Sequence, residues 1–222
     1  MHSPLIAFDF SMAKPAMAAL INNKLYMYVW PMNIDSKTVD ILENADIVVN
    51  NRQLPEISTK KIDENTLICE HVNRASSLAD MIVSDIKALL AENSCEDYMP
   101  VIANEGLAFG ASGNVMLDLS GYKYILMYKL ISEGFTDLRT YAPLTIKSTA
   151  HCSKKGMKKE DMIQKLKDEP DVHWFIDLLK TDESQLKKKT AFVKCVDDLT
   201  DAYWCLKTII KKENIKCILS DD

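Results

Sequence analysis

The sequence predicts an α/β domain with a mixed central sheet. Short apolar runs bounded by turn residues read as buried strands, longer stretches with apolar residues at helical spacing read as helices, and the two alternate along the chain. Residues 5–10 (LIAFDF) form the first run. Residues 17–22 follow after a turn containing Lys14 and Pro15, and Asn22-Asn23 then suits a two-residue hairpin leading into residues 24–30. The opening is therefore expected to be a three-stranded antiparallel meander, with Tyr26, Tyr28 and Trp30 packing at period two. Ser36 is expected to cap a short helix, followed by a brief apolar run, DIVVN. Residues 51–66 are polar and irregular. A helix capped by Ser76 or Ser77 is expected to run to about Asn93, with Leu78, Ile82, Ile86 and Leu89 on one face. A strand over 98–105, a Gly-containing loop over 107–114, a helix over 115–132 and a strand over 136–143 come next. Residues 144–160 read as a Lys-rich loop. Helical segments then start at Glu160 and over 173–180, and a clear helix covers 197–212, with acids at its start and lysines at its end. The expected organisation is one domain over 1–222.

Composition excludes several classes. The chain has 222 residues, 47% apolar and 27% charged, as in soluble globular proteins. Six Gly and seven Pro are too few for a collagenous or low-complexity chain. No apolar run approaches the roughly 18 residues of a membrane span, and the first residues lack the basic and apolar regions of a signal peptide. The six Cys contain no C-x-x-C pair and read as reduced cytosolic thiols. His71, His151 and His173 are too scattered for a zinc site. Net charge is −5, yet residues 139–194 carry 13 Lys and Arg against 8 Asp and Glu. That stretch is either a phosphate-binding surface or a solvated helix face.

The acids carry the chemistry. Asp9 interrupts an apolar strand, where a carboxylate is costly without a partner. Glu105 ends a strand before a Gly loop. Asp198 and Asp201 are three apart, so they share one helix face. Taken singly, the helical pair could be N-terminal acids favoured by the helix dipole. Taken together, the four make sense as oxygen ligands for hard cations. Two such ions roughly 4 Å apart can activate water and stabilise the leaving oxygen of a phosphodiester.

These segments resemble the RNase H-like nucleases, and among them the RuvC-type Holliday junction resolvases, especially divergent phage-encoded forms. IAFDFSMAKPAMAAL resembles the first motif of that family, VIANEGLAFGASGN the second, YAPLTIKSTAHCSKKGMKKEDMI the basic segment that approaches DNA, and VDDLTDAYWCL the last acidic motif. Together they span residues 5–206. Residues 31–72 have no counterpart and read as an insertion. The usual Gly after the first motif is absent; Phe10, Ser11 and Met12 follow Asp9 instead.

The resemblance implies an RNase H-like fold and a metal-dependent endodeoxyribonuclease that resolves four-way and branched DNA by paired nicks. Asp9, Glu105, Asp198 and Asp201 would be the catalytic acids that hold two Mg²⁺, or Mn²⁺ in their place, with Asp9 between the ions. In-line attack of water on phosphorus would leave a 5′-phosphate and a 3′-hydroxyl. Asp197 would be a helix cap or an outer ligand. Lys147 would neutralise charge near the scissile phosphate, and Lys154, Lys155, Lys158 and Lys159 would grip backbone phosphates. Phe109 is either a base-stacking aromatic or a core residue, and Trp174 and Phe175 are expected in the core. A homodimer through the 115–132 helix is implied, with Met116, Leu119, Tyr122, Lys123, Leu126, Met127 and Leu130 along that helix; burial in one core is the alternative. The implied compartment is the cytoplasm, that of the host for a phage protein. Rival readings are an RNA–DNA hybrid or packaging nuclease on the same fold, and a non-catalytic DNA-binding or scaffold protein. An actin-like ATPase is disfavoured, because six Gly leave little for phosphate loops.

Overall fold

The structure, a computed structural model, describes residues 3–51, 54–55, 57–58, 62–106, 113–154, 157, 159–182 and 191–215. In chain order the elements are β1 (Leu5–Asp9), β2 (Ala16–Ile21), β3 (Lys24–Val29), α1 (Ser36–Glu43), β4 (Ile47–Val49), α2 (Glu64–Glu92), β5 (Val101–Glu105), α3 (Gly113–Ser132), β6 (Leu138–Tyr141), α4 (Pro143–Thr149), α5 (Lys159–Leu166), α6 (His173–Asp182) and α7 (Ala191–Lys212). Six strands form one sheet in the order β4-β3-β2-β1-β5-β6. The pairs β1–β2 and β2–β3 are antiparallel; β3–β4, β1–β5 and β5–β6 are parallel.

The meander forms where the sequence places it, and its turn shows why. Asn22 and Asn23 have φ of 51° and 64°. A two-residue hairpin whose twist matches its strands needs positive φ at both central positions, and Asn tolerates that better than other side-chain-bearing residues. Asn22→Val is therefore expected to destabilise the protein by about 1–2 kcal/mol, and Asn23→Gly to leave it as stable or more so. Urea midpoints of the two variants check this.

Alternation along the strands sends side chains to two cores. Leu5, Ala7, Ala16, Ala18 and Ala103 face one layer, built from α1 and α4–α7. Ile6, Phe8, Met17, Ala19, Tyr28 and Ile102 face the other, built from α2 and α3. Trp30, Tyr28 and Phe175 are buried, as expected, and the Tyr28 and Trp30 rings stack with centroids 5.9 Å apart. The Trp30 indole nitrogen and the Asn50 amide both donate to Asp85 Oδ2 at 2.6 Å, which ties α2 to the end of the meander. The five described cysteines are free thiols. No helix among the described residues is long and apolar enough to cross a membrane.

Several boundaries differ from the sequence reading. The cap of α1 is Asp35 rather than Ser36; its carboxylate accepts from the Thr38 main-chain N–H at 2.9 Å. The apolar run after α1 is an edge strand paired to β3. The second helix begins at Glu64 behind an Asp63 cap, well before Ser76. Its first turns leave Leu67, Ile68 and Val72 exposed, so periodicity toward the core begins only at Ala75. Part of the supposed Lys-rich loop is α4, which Pro143 opens, as proline suits the first turn of a helix. The last helix starts at Ala191, six residues before Asp197, because Phe192, Cys195 and Val196 are buried in the core and extend it.

Candidate metal centre

The site is built at the carboxyl ends of two inner strands of the sheet. Strands β1 and β5 are parallel, with Leu5 opposite Val101 and Ala7 opposite Ala103. Strand period two then puts Asp9 and Glu105 on the same face, at the carboxyl ends of adjacent strands. That face is the one covered by α7, which packs across β1, β2 and β5. Ala7, Ala16, Ala18 and Ala103 line it and are fully buried, so the helix approaches the sheet closely. The crevice outside the carboxyl ends of strands is where open α/β sheets place their ligand sites.

Helix α7 delivers the third acid. One carboxylate oxygen from each of Asp9, Glu105 and Asp201 lies within 4.8 Å of the others, and all three residues are half-buried. Like charges at that spacing repel by on the order of 3 kcal/mol per pair at an effective dielectric of 20. The same spacing suits a cation, since oxygens each about 2.0–2.6 Å from one ion lie at such distances from each other. Three hard oxygen donors fit Mg²⁺ or Mn²⁺ and lack the thiolate or imidazole of a zinc site. The triad could hold a divalent metal ion.

Asp198 stands one turn earlier and is outside this group. Ser11 Oγ donates to Asp198 Oδ2 at 3.4 Å and accepts from the Lys14 main-chain N–H at 2.9 Å. The segment after Asp9, where Phe10, Ser11 and Met12 stand and the usual Gly is absent, thus reaches toward α7. The Cys195 thiol, one turn before Asp198, is pushed up to about 12 by burial, with Lys14 lowering it and Asp198 raising it. Because α7 starts at Ala191, Asp197, Asp198 and Asp201 lie beyond the first turn, where the helix dipole acts. The dipole therefore does not account for them, and Asp197 is not a cap.

Two buried groups near the triad are not expected there from the sequence, which offers Cys205 no role and places Lys123 only along the implied dimer helix. Cys205 follows Asp201 by one turn; burial, together with Glu105, Asp9 and Asp201, holds its thiol well above the ordinary range, with Lys123 acting in the opposite sense. Lys123 on α3 is 8% exposed, and its Nζ donates to the main-chain oxygen of Glu105. Burial lowers the Lys123 ammonium from the usual lysine range, while Glu105, Cys205 and Asp9 oppose that shift. Its place on an apolar-looking helix concealed it, because only the packing of α3 brings Nζ to the end of β5.

The β5 end is held on its other side by β6. Asn104, 1% exposed, donates to the Arg139 main-chain oxygen at 3.1 Å. Gly106 N donates to the Tyr141 oxygen at 2.7 Å, and a Cβ at Gly106 would sit 3.3 Å from that oxygen, so a small residue belongs there.

The basic residues are less gathered. Lys147 is exposed in the last turn of α4, which packs on α7, and Lys154 is exposed after it. Lys155, Lys158 and Phe109 lie outside the described residues, as does the Lys159 side chain at the start of α5. On α3, Tyr122, Leu126 and Leu130 are buried in the protein's own core, and Met116 lies outside the described side chains.

The antiparallel β1–β2–β3 meander is continued on the far side of β1 by parallel β5 and β6, with helices on both faces. The fold is RNase H-like. The segment 31–72 contributes α1, the edge strand β4 and the first turns of α2. No family model matches the sequence, and no curated protein matches it. Among solved structures, the chain is similar to Thermus thermophilus RuvC in complex with Holliday junction substrate, at 9% identity and a TM-score of 0.45, over 91% of this chain and 94% of that chain. It is similar to another Thermus thermophilus RuvC structure at 9% identity and 0.45, over 95% and 96%. It is also similar to the yeast mitochondrial Holliday junction resolvase Ydc2 at 12% identity and 0.49, over 96% and 79%.

Proposed function

We propose that the protein is a metal-dependent endodeoxyribonuclease that resolves four-way and other branched DNA junctions by paired nicks. The observation that carries the reading is the convergence of Asp9, Glu105 and Asp201 from three distant parts of the chain at the carboxyl ends of inner strands of an RNase H-like sheet. The resemblance of the four sequence segments to RuvC-type resolvases supplies the junction as substrate.

Asp9, Glu105 and Asp201, with Asp198 beside them, would hold two Mg²⁺, or Mn²⁺ as substitute. When bound, such ions supply Lewis acidity and positive charge beside a phosphodiester. Asp9 and Glu105 are carried at the ends of inner strands paired on both sides, and Asp201 by the helix packed across them. Ser11 orients Asp198. Lys147, on the α4 surface next to α7, neutralises charge gathering on the phosphate. Lys154, Lys155, Lys158 and Lys159 hold flanking backbone phosphates, which makes binding fall steeply with salt. Phe109 stacks on an unpaired base at the junction centre.

Paired nicking needs two active sites, and α3 offers the surface for a homodimer. Tyr124, Tyr128 and Ile131 are 67%, 68% and 52% exposed and follow Gly121 at spacings of three and four, on one helical stripe. Tyr128→Asp is expected to convert a dimer to a monomer in sedimentation while leaving the thermal midpoint within a few degrees, since the side chain is outside the core.

The test of function is cleavage of a labelled synthetic four-way junction with Mg²⁺ or Mn²⁺ and with EDTA, beside linear duplex, a fork and an RNA–DNA hybrid. Asp9→Asn serves as the control. Paired metal-dependent nicks that vanish in the variant are expected. Cleavage of the hybrid alone would move the function to another RNase H-like class. Junction binding without cleavage of any substrate would favour a binding protein.

A further inference from the structure

The acidic centre contains a cation of its own. Lys123 comes from α3, on the opposite side of the sheet from α7, and its Nζ rests on the main-chain oxygen of Glu105. The residue is 8% exposed with its Nζ held on the β5 end, and Glu105, Asp9 and Cys205 are among the groups that feel its charge. A buried lysine is costly unless its charge is balanced. Clustered carboxylates are costly for the same reason, and opposite charges brought together offset part of both costs. The hydrogen bond adds position to charge, since it grips the residue whose side chain enters the triad. A lysine packed only for its aliphatic stem would carry its head to water; here Nζ turns to the Glu105 main-chain oxygen.

We propose that Lys123 is the resident counter-charge and positioning residue of the Asp9–Glu105–Asp201 centre, keeping the carboxylates gathered before a divalent cation arrives and lowering the affinity for that cation. This rests on the metal-centre reading above. The ammonium and an incoming ion compete for the same negative field. Removing the charge therefore weakens the metal-free protein and strengthens metal binding, two effects of opposite sign that a purely structural hydrogen bond does not produce.

The experiment titrates Mn²⁺ into the wild-type chain and into Lys123→Gln and Lys123→Arg, following free Mn²⁺ by electron paramagnetic resonance and thermal midpoints with and without the ion. Gln keeps a donor and loses the charge; Arg keeps the charge. The Gln variant is expected to melt lower than wild type without metal, to bind Mn²⁺ at least about tenfold more tightly, and to gain more stability from saturating Mn²⁺. The Arg variant is expected to stay near wild type in the increment. An equal loss of stability with and without Mn²⁺, at unchanged affinity, overturns the proposal and leaves the metal centre standing. Absence of Mn²⁺ binding in the wild type overturns both. Should Lys123→Gln fail to fold alone, it is carried on Asp9→Asn, which removes part of the repulsion. Recovery of folding there supports the counter-charge role, and no recovery overturns it. Wild-type binding without junction cleavage would sink the nuclease reading while this comparison stayed valid.

Discussion

Asp201→Asn is expected to reduce metal-dependent junction cleavage by about 10²–10³-fold or beyond detection, with the fold intact and junction binding retained. The substitution keeps the shape of the side chain and removes one of three charges that meet within 4.8 Å. Repulsion in the metal-free protein falls, so the thermal midpoint without metal is expected to hold or rise. Affinity for the ion falls with the lost ligand, and with it the positive charge available beside the phosphate. Asp198→Asn is likewise expected to lose cleavage and to keep or improve junction binding, because a negative charge near the DNA disappears. Nicking assays with gel-shift binding at fixed salt check both. An Asp201→Asn protein that cleaves at wild-type rate would remove the triad from the reaction.

The second large effect touches no charged group. Ala103→Leu is expected to cost about 1–3 kcal/mol of stability and, separately, to cut cleavage by about 10²-fold or more through displacement of Asp201, since a 1 Å misplacement can cost that much. Ala103 is fully buried in the layer between the sheet and α7, two residues before Glu105. A leucine there pushes the helix away from β5, and Asp201 moves with the helix while Glu105 stays with the strand. Ala19→Leu is the matched control. Ala19 is equally buried but faces the α2–α3 layer. It is expected to cost similar stability and to leave the separation of Asp201 from Asp9 and Glu105 unchanged. Urea unfolding measures the first effect and nicking rates the second. Equal loss of activity in both variants would show that the alanine layer does not set the site.

Much of the architecture was legible because it is written in local chemistry. The Asn-Asn turn demands positive φ, the alternating apolar runs demand strands, and Asp9 stands out because a carboxylate in LIAFDF has no local reason to be there. Glu105 was legible as a strand-end acid. Asp198 and Asp201 were legible as neighbours on a helix, but the place of that helix in the chain was not. The acids at 197–201 imitate a dipole-favoured start, while the true first turns are held by burial of Phe192, Cys195 and Val196, a tertiary effect. The start of α2 was hidden for the converse reason, because its first turns face outward. Lys123 and Ser11 were not legible, since each gains its role from a partner far along the chain: Glu105 for the lysine, Asp198 for the serine.

That the triad draws on residues 9, 105 and 201 has a consequence for how the protein comes into being. The meander can form early from neighbouring segments, and β5 can join it later, yet neither step produces a complete set of ligands. Only docking of α7, the last described helix, onto the alanine layer does so. The ligand set is thus completed in the same event that closes the core, and under the proposed nuclease reading partly folded chains carry no finished blade to turn on the DNA around them.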